Sequence, residues 1–284
     1  MHTRSGVSRR DFLAVAGALP LAARTLAAQA HPIPVGLELY SVRTELTKDL
    51  PGTVTAVARM GYQVVEFYSP YFDWTPAAAK DVRKLLDDLG IRCQSTHNSP
   101  ASFTREGLKK AIELNQTIGS TTMVLASSPR MTDLESWKAL GDQMTGVMAT
   151  LRPLGMAAGF HNHQTEWGGA VGQRPMDVLA ASTPSDFVLQ FDVGTCVEAG
   201  QDPVAWIKAN PGRIKSLHCK DWGSDGRGYA VAFGEGSVPW KAVIEAAEAT
   251  GGVQYFLIEQ EIAGPDGQFA MAHKCLDNWK KLSA

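Results

Sequence analysis

The chain of 284 residues carries 27 basic and 29 acidic side chains, for a formal charge of −2, and is 44% hydrophobic. That length supports a large core without covalent staples, so Cys93, Cys196, Cys219 and Cys275 are expected as buried thiols rather than disulfides. The charge argues against a nucleic-acid partner, because phosphates demand a basic face.

The chain opens with Ser8-Arg9-Arg10-Asp11-Phe12-Leu13, an alanine- and leucine-rich run to Ala27, and the small-x-small triplet Ala28-Gln29-Ala30. This is the pattern of a twin-arginine export signal. Residues 1–30 are therefore read as a signal peptide, residues 31–284 as one catalytic domain, and the mature protein as periplasmic. The apolar run, about 15 residues and broken by Arg24, falls short of the ~20 that a spanning helix needs. No stable membrane insertion is expected after cleavage, and loss of the segment moves the formal charge to −5.

Beyond the signal, β-rich runs at residues 35–39, 63–68, 92–97, 122–126, 157–161, 187–192, 213–220 and 255–259 alternate with helical stretches. The helix at 77–89 places Val82, Leu85, Leu86 and Leu89 on one face, and that at 106–118 does so with Leu108, Ala111, Ile112 and Leu114. Gly61, Gly90, Gly119, Gly155 and Gly251 follow helical stretches as left-handed stops. Strand–helix alternation with strands apolar on both sides implies a parallel sheet. Eight such units in about 250 residues close it into a single-domain (β/α)8 TIM barrel of the α/β class. The rival, an open doubly wound sheet, lacks a glycine-rich phosphate loop after its first strand.

Chemistry gathers where these strands stop. Side chains alternate along a strand, so Gln190 and Asp192 share a face, as do Ser216, His218 and Lys220, and Leu257 and Glu259. Asp192, His218 and Glu259 converge at the carboxyl ends, where such a barrel keeps its active site. Imidazole with carboxylates suits one borderline divalent ion, manganese, zinc or cobalt, better than calcium. A fourth ligand comes from His161 or His163, both inward around Asn162, with His161 nearer the strand end. Glu66, His97 and Lys220 are candidate substrate contacts at strand ends. Trp167 is another, among aromatic residues near the mouth, Tyr40, Phe72, Trp74 and Trp222, whose rings can stack on a sugar. Gly234-Glu235-Gly236-Ser237 with Trp240 reads equally as a lid or as a plain loop.

Residues 36–43, residues 61–67, His161-Asn162-His163, Asp192-Val193-Gly194, Leu217-His218-Cys219-Lys220-Asp221, Gly234-Glu235-Gly236 with Trp240, and Ile258-Glu259-Gln260 share one pattern. In order, and across essentially the whole mature chain, they resemble the sugar phosphate isomerase/epimerase family of xylose isomerase-like barrels. The resemblance implies a divalent metal at the barrel mouth, held by His161, Asp192, His218 and Glu259. Ketose epimerases of that family commonly carry a carboxylate at the strand-five position, whereas this chain has His161, as sugar-ring dehydratases and keto-sugar-cleaving relatives do. At Glu38 the family leads one to expect glutamine.

The implied activity is that of an isomerase or epimerase acting on a sugar or keto-sugar through an enediolate, with Glu259 the first candidate base and His163 and Glu166 next. The alternative on the same residues is a metal-dependent lyase or dehydratase, or cleavage of a 3-keto-glycoside. A non-catalytic sugar-binding module is a third reading.

Overall fold

The computed structural model describes residues 33–128, 131 and 133–282, so the expected signal at residues 1–30 lies outside the described residues. Eight strands form: β1 Val35–Glu38, β2 Val64–Phe67, β3 Arg92–Asn98, β4 Thr122–Leu125, β5 Ala157–His161, β6 Val188–Asp192, β7 Ser216–Cys219 and β8 Tyr255–Ile258. They pair in parallel in sequence order, and β8 returns to β1 to close the barrel. The largest departure from the expected boundaries is at β7, which begins at Ser216 rather than Arg213.

Alternation along the strands sorts the side chains between two environments. Leu37, Val65, Phe160, Phe191, Leu217 and Phe256 belong to the main apolar cluster, which lies between the barrel and its surrounding helices. Their neighbours one residue along face the barrel interior, and several of these are small or polar. The interior is tight at β1, where a Cβ on Gly36 would stand 2.5 Å from the Val64 carbonyl oxygen on β2.

Thr75 and Thr104 cap the helices Pro76–Leu89 and Arg105–Ile118 by accepting from the Ala78 and Gly107 amides, and Gly90 and Gly119 end them in the left-handed region. The last expected stop falls one residue late, on Gly252, because the helix Trp240–Ala246 widens into a π-turn, Ala247–Gly251, before it ends. All four cysteines are buried and free. Among the described residues no helix is long and apolar enough to cross a membrane.

Gly36→Ala drives a methyl group into the β2 backbone and should lower unfolding stability by about 1–3 kcal/mol in urea titration. Gly146→Ala, on the helix Leu134–Leu151 with open space at its Cβ, should instead raise it by roughly 0.5–1 kcal/mol. Equal midpoints for the two variants would contradict the close approach of β1 to β2.

Candidate active site

A cavity of about 390 Å³ opens at the carboxyl ends of the strands, lined among others by Glu38, His97, His161, Lys220, Glu259 and Tyr229. Asp192 ends β6 and caps the helix Val193–Glu198, its Oδ1 accepting from the Thr195 amide at 3.0 Å. Asn162, turned away from the barrel axis as strand parity requires, braces that end. It donates Nδ2 to the Asp192 carbonyl and accepts from the Asp192 amide, both at 3.0 Å. The other carboxylate oxygen, Asp192 Oδ2, is buried without a hydrogen-bond partner. It lies 3.7 Å from His161 Nε2 and 3.7 Å from Lys220 Nζ.

The ligand atoms of His161, Asp192 and Glu259 all lie within 4.8 Å of one another, and so do those of His97, His161 and His218. The quartet expected from sequence is divided between these two groups, which share His161, and His97 joins the group that holds His218. His218 sits between carboxylates, with Nδ1 2.7 Å from Glu259 Oε2 and Nε2 2.9 Å from Glu66 Oε2.

Four buried carboxyl groups, Glu38, Glu66, Asp192 and Glu259, crowd this region, with Lys220 and His218 as the cations among them. Burial pushes Asp192 up to about 7 against the pull of Lys220. Burial, with Glu259 and Glu66 nearby, holds Glu38 well above the usual carboxylate range. Burial also works against Glu259, but Lys220 and His218 outweigh it and hold that carboxylate well below the usual range. Burial lowers His218, but hydrogen bonds and charge from Glu259 and Glu66 bring it up to about 10. Burial, followed by His218, His97 and His163, holds His161 well below the ordinary imidazole value, so it stays neutral with a lone pair to offer. An acidic, desolvated cluster with a neutral imidazole and an unpartnered carboxylate oxygen fits a borderline divalent cation.

His97, His163 and Lys220 line the cavity. Three other sequence-expected residues stand elsewhere. Glu66, expected to touch substrate, is 0% exposed and engaged by Ser95, Gln190, His97 and His218. Trp167, expected to stack on substrate, is 1% exposed and packs edge-on against Phe191 and Trp206, because the turn Gln164–Trp167 folds its ring into the core. Glu166, a candidate base, accepts from the His163 amide through Oε2 and from the Thr165 hydroxyl through Oε1, which closes that turn. Of the other aromatic residues, Tyr40 lines the cavity, while Trp74 packs against Phe67 and Tyr71.

The glycine-rich segment after β7 is a tied loop rather than a free lid. The Asp221 carboxylate accepts from the amides of Trp222, Gly234, Gly236 and Val238 and from the Trp240 indole. This loop delivers Tyr229, whose ring lies 4.8 Å from Lys220 Nζ and whose hydroxyl donates to Glu198. Tyr229 was invisible in the sequence because it lies mid-loop, outside any strand-end or helical spacing. Glu38 did carry a signal, its place at the end of β1, but the family pattern pointed to glutamine there.

A model of the family described as xylose isomerase-like TIM barrel matches residues 54–279. The chain is similar to the rhizopine catabolism protein MocC of Rhizobium meliloti, 26% identical over 195 residues that cover 62% of this chain and 54% of that protein. It is also similar to an inosose dehydratase of Clostridium beijerinckii, 32% identical over 92 residues, 32% of this chain and 30% of that enzyme. The chain thus spans about half or less of the length of these curated relatives. A sugar phosphate isomerase/epimerase from Parabacteroides distasonis superposes with a TM-score of 0.73 at 24% identity, over 90% of this chain and 96% of that one. A D-psicose 3-epimerase does so with a TM-score of 0.61 at 13% identity, over 85% and 89%. At these identities the structural likeness shows the shared barrel.

Asp221→Ala removes one acceptor from five donors and should cost about 2–4 kcal/mol of stability. Hydrogen exchange should report lost protection at the Gly234 and Gly236 amides, and unchanged protection there would refute the tie.

The titrating groups also predict a pH profile for chelator-treated protein. His218 is raised above its ordinary 6.5, so its contribution is complete below 6.5 and lost as pH rises through about 10. His97 and His161 are depressed below 6.5, so stability falls as they are forced to protonate in acid, and Glu66 and Glu259, depressed below 4.5, lose theirs lower still. Asp192 and Glu38, both raised, work the other way and lose their contribution as pH rises above 3.8 and 4.5, so they join His218 in making the melting temperature fall from pH 7 toward about pH 10. A continuous rise from pH 7 to about 10 would contradict the assignment.

Proposed function

The chain belongs to the xylose isomerase-like TIM barrel family, and on that premise we propose that it is a divalent-metal-dependent isomerase or epimerase acting on a sugar or keto-sugar through an enediolate. The observation that supports this most is Asp192 Oδ2, buried without a hydrogen-bond partner and 3.7 Å from both His161 and Lys220, two residues that line the cavity. His161, Asp192, His218 and Glu259 would hold one ion, with manganese, zinc or cobalt suited to their nitrogen and carboxylate donors. Such an ion, when bound, polarises a carbonyl and makes the adjacent carbon-bound proton more acidic.

The chain's own groups then handle the proton. Glu259 is the base, kept ionised by Lys220. His163 is the second candidate, since burial holds its imidazole below the ordinary value and leaves it able to accept a proton. Lys220, whose ammonium lies 3.5 Å from Glu259 Oε1, offsets negative charge beside the base. Tyr40, Tyr68 and Tyr229 line the cavity and would supply aromatic surface to a sugar. Return of the proton to the opposite face gives an epimer, and loss of the neighbouring hydroxyl gives elimination.

Elimination is the second reading, as a dehydratase or a 3-keto-glycoside-cleaving lyase. His161 at the end of β5 favours it, and so does the similarity to inosose dehydratase. The twin-arginine segment supports an exported enzyme that meets free sugars or glycosides.

Protein purified without added metal should contain about one manganese, zinc or cobalt per chain, lost in His218→Ala. Incubation with D-fructose, D-psicose and keto-inositol in deuterated water should place deuterium next to a carbonyl, with water loss in the same samples marking elimination. Glu259→Gln should slow exchange by about 10²–10⁴ at saturating metal. A protein that takes up no metal and exchanges no proton sinks the reading.

A further inference from the structure

Glu66, at the end of β2, lies beneath the cavity and touches side chains from three other strands. Its Oε1 accepts from the Ser95 hydroxyl on β3 and, at 2.9 Å, from Gln190 Nε2 on β6. Its Oε2 meets two imidazoles, His218 Nε2 at 2.9 Å and His97 Nε2 at 3.2 Å. Because Gln190 directs its amino group at Glu66, its carbonyl Oε1 is the atom 2.6 Å from His97 Nε2. An acceptor on each side of His97 Nε2 requires the proton to sit on that nitrogen, and His97 Nδ1 is left as a lone pair. In His218 both nitrogens meet carboxylates, Nε2 that of Glu66 and Nδ1 that of the proposed ligand Glu259, so both carry protons without an ion, and a bound metal would take the place of the Nδ1 proton.

We infer that Glu66 is a positioning residue whose single buried carboxylate holds the proton on His218 Nε2, so that Nδ1 is the nitrogen offered to the metal, and that shares with Gln190 the Nε2–H of His97. The inference rests on the metal-dependent reading above and assigns to Glu66 a role that requires no contact with substrate. A carboxylate on the far nitrogen of a ligating histidine raises the basicity of the near one and fixes the ring.

Glu66→Gln tests this because the shape is kept while the acceptor is lost. Gln190 donates toward one end of the side chain, so the glutamine oxygen stays there and its amino group faces the two imidazoles, where it opposes an N–H. Zinc is the probe, with the full chain, a competing chelating dye for affinity and two-bond proton–nitrogen correlation spectra for the histidine tautomers. In wild-type protein with zinc, His97 and His218 should both appear as Nε2–H. In Glu66→Gln His218 should shift toward Nδ1–H while His97, still facing the Gln190 carbonyl, keeps Nε2–H, and zinc affinity should fall about 10- to 100-fold.

A role in packing alone would lower the melting temperature and leave the tautomers of the folded variant unchanged, which would overturn the inference. So would a wild-type spectrum with His218 as Nδ1–H, a result that decides the matter even if the variant does not fold. Wild-type affinity retained in Glu66→Gln overturns the positioning role and leaves the metal reading intact. Failure of the wild type to bind zinc, manganese or cobalt overturns both.

Discussion

Charge balance inside a closed barrel governs this molecule. Glu38, Glu66, Asp192 and Glu259 are buried where the barrel meets its cavity. Unpaired ions in such a place are penalised by several kcal/mol each, so the surrounding groups must divide the protons and charges among them. Lys220 stands between Asp192 and Glu259, and His218 between Glu259 and Glu66. The carboxyls nearest those cations, Glu66 and Glu259, are held ionised, while Glu38 and Asp192 are pushed toward the protonated form. A divalent cation would complete the balance, which is why the donor chemistry and the electrostatics point to the same site.

The backbone around that cluster is over-determined in ways that serve it. Asp192 is at once the last residue of β6, the cap of the next helix and a proposed ligand, so the helix start aims its free oxygen. Asn162 ties the ends of β5 and β6 together from outside the barrel. Asp221 does a similar job for the long loop after β7, holding its two ends to one carboxylate and bringing Tyr229 over Lys220. A site supported this way would need little reorganisation for the proposed chemistry, since preorganised charge is the larger part of most catalytic effects.

Much of this is legible in the sequence, and the reason is periodicity. A parallel strand buried on both faces is a short apolar run, and a polar residue at its end is conspicuous; Asp192, His218 and Glu259 were found that way. Inward parity also separated Asn162 from His161 and His163 correctly, as the bracing bonds to β6 show. Parity gives a direction without a depth, however. Glu66 and His97 both face inward near strand ends, yet Glu66 is sealed under the floor and His97 lines it, across a register shift between β2 and β3. Trp167 and Glu166 lie in a turn, where no period constrains the side chain; one ring went to the core and one carboxylate to its own backbone.

The sequence by itself determined the barrel, the order of its strands and all but the last of the expected helix stops, because each is a local pattern of burial or backbone conformation that neighbouring residues enforce. It also placed His97, His161, Asp192 and His218 at or beside the ends of their strands. Only the tertiary structure decided how those groups share their protons and partners: that Glu66 serves two histidines, that Asp192 keeps an oxygen free, that Tyr229 crosses from a loop to Lys220. These depend on distances of 3–5 Å between strands and loops far apart in the chain. At that range the energy of a charge or a hydrogen bond changes steeply with position, and no spacing along the sequence encodes it.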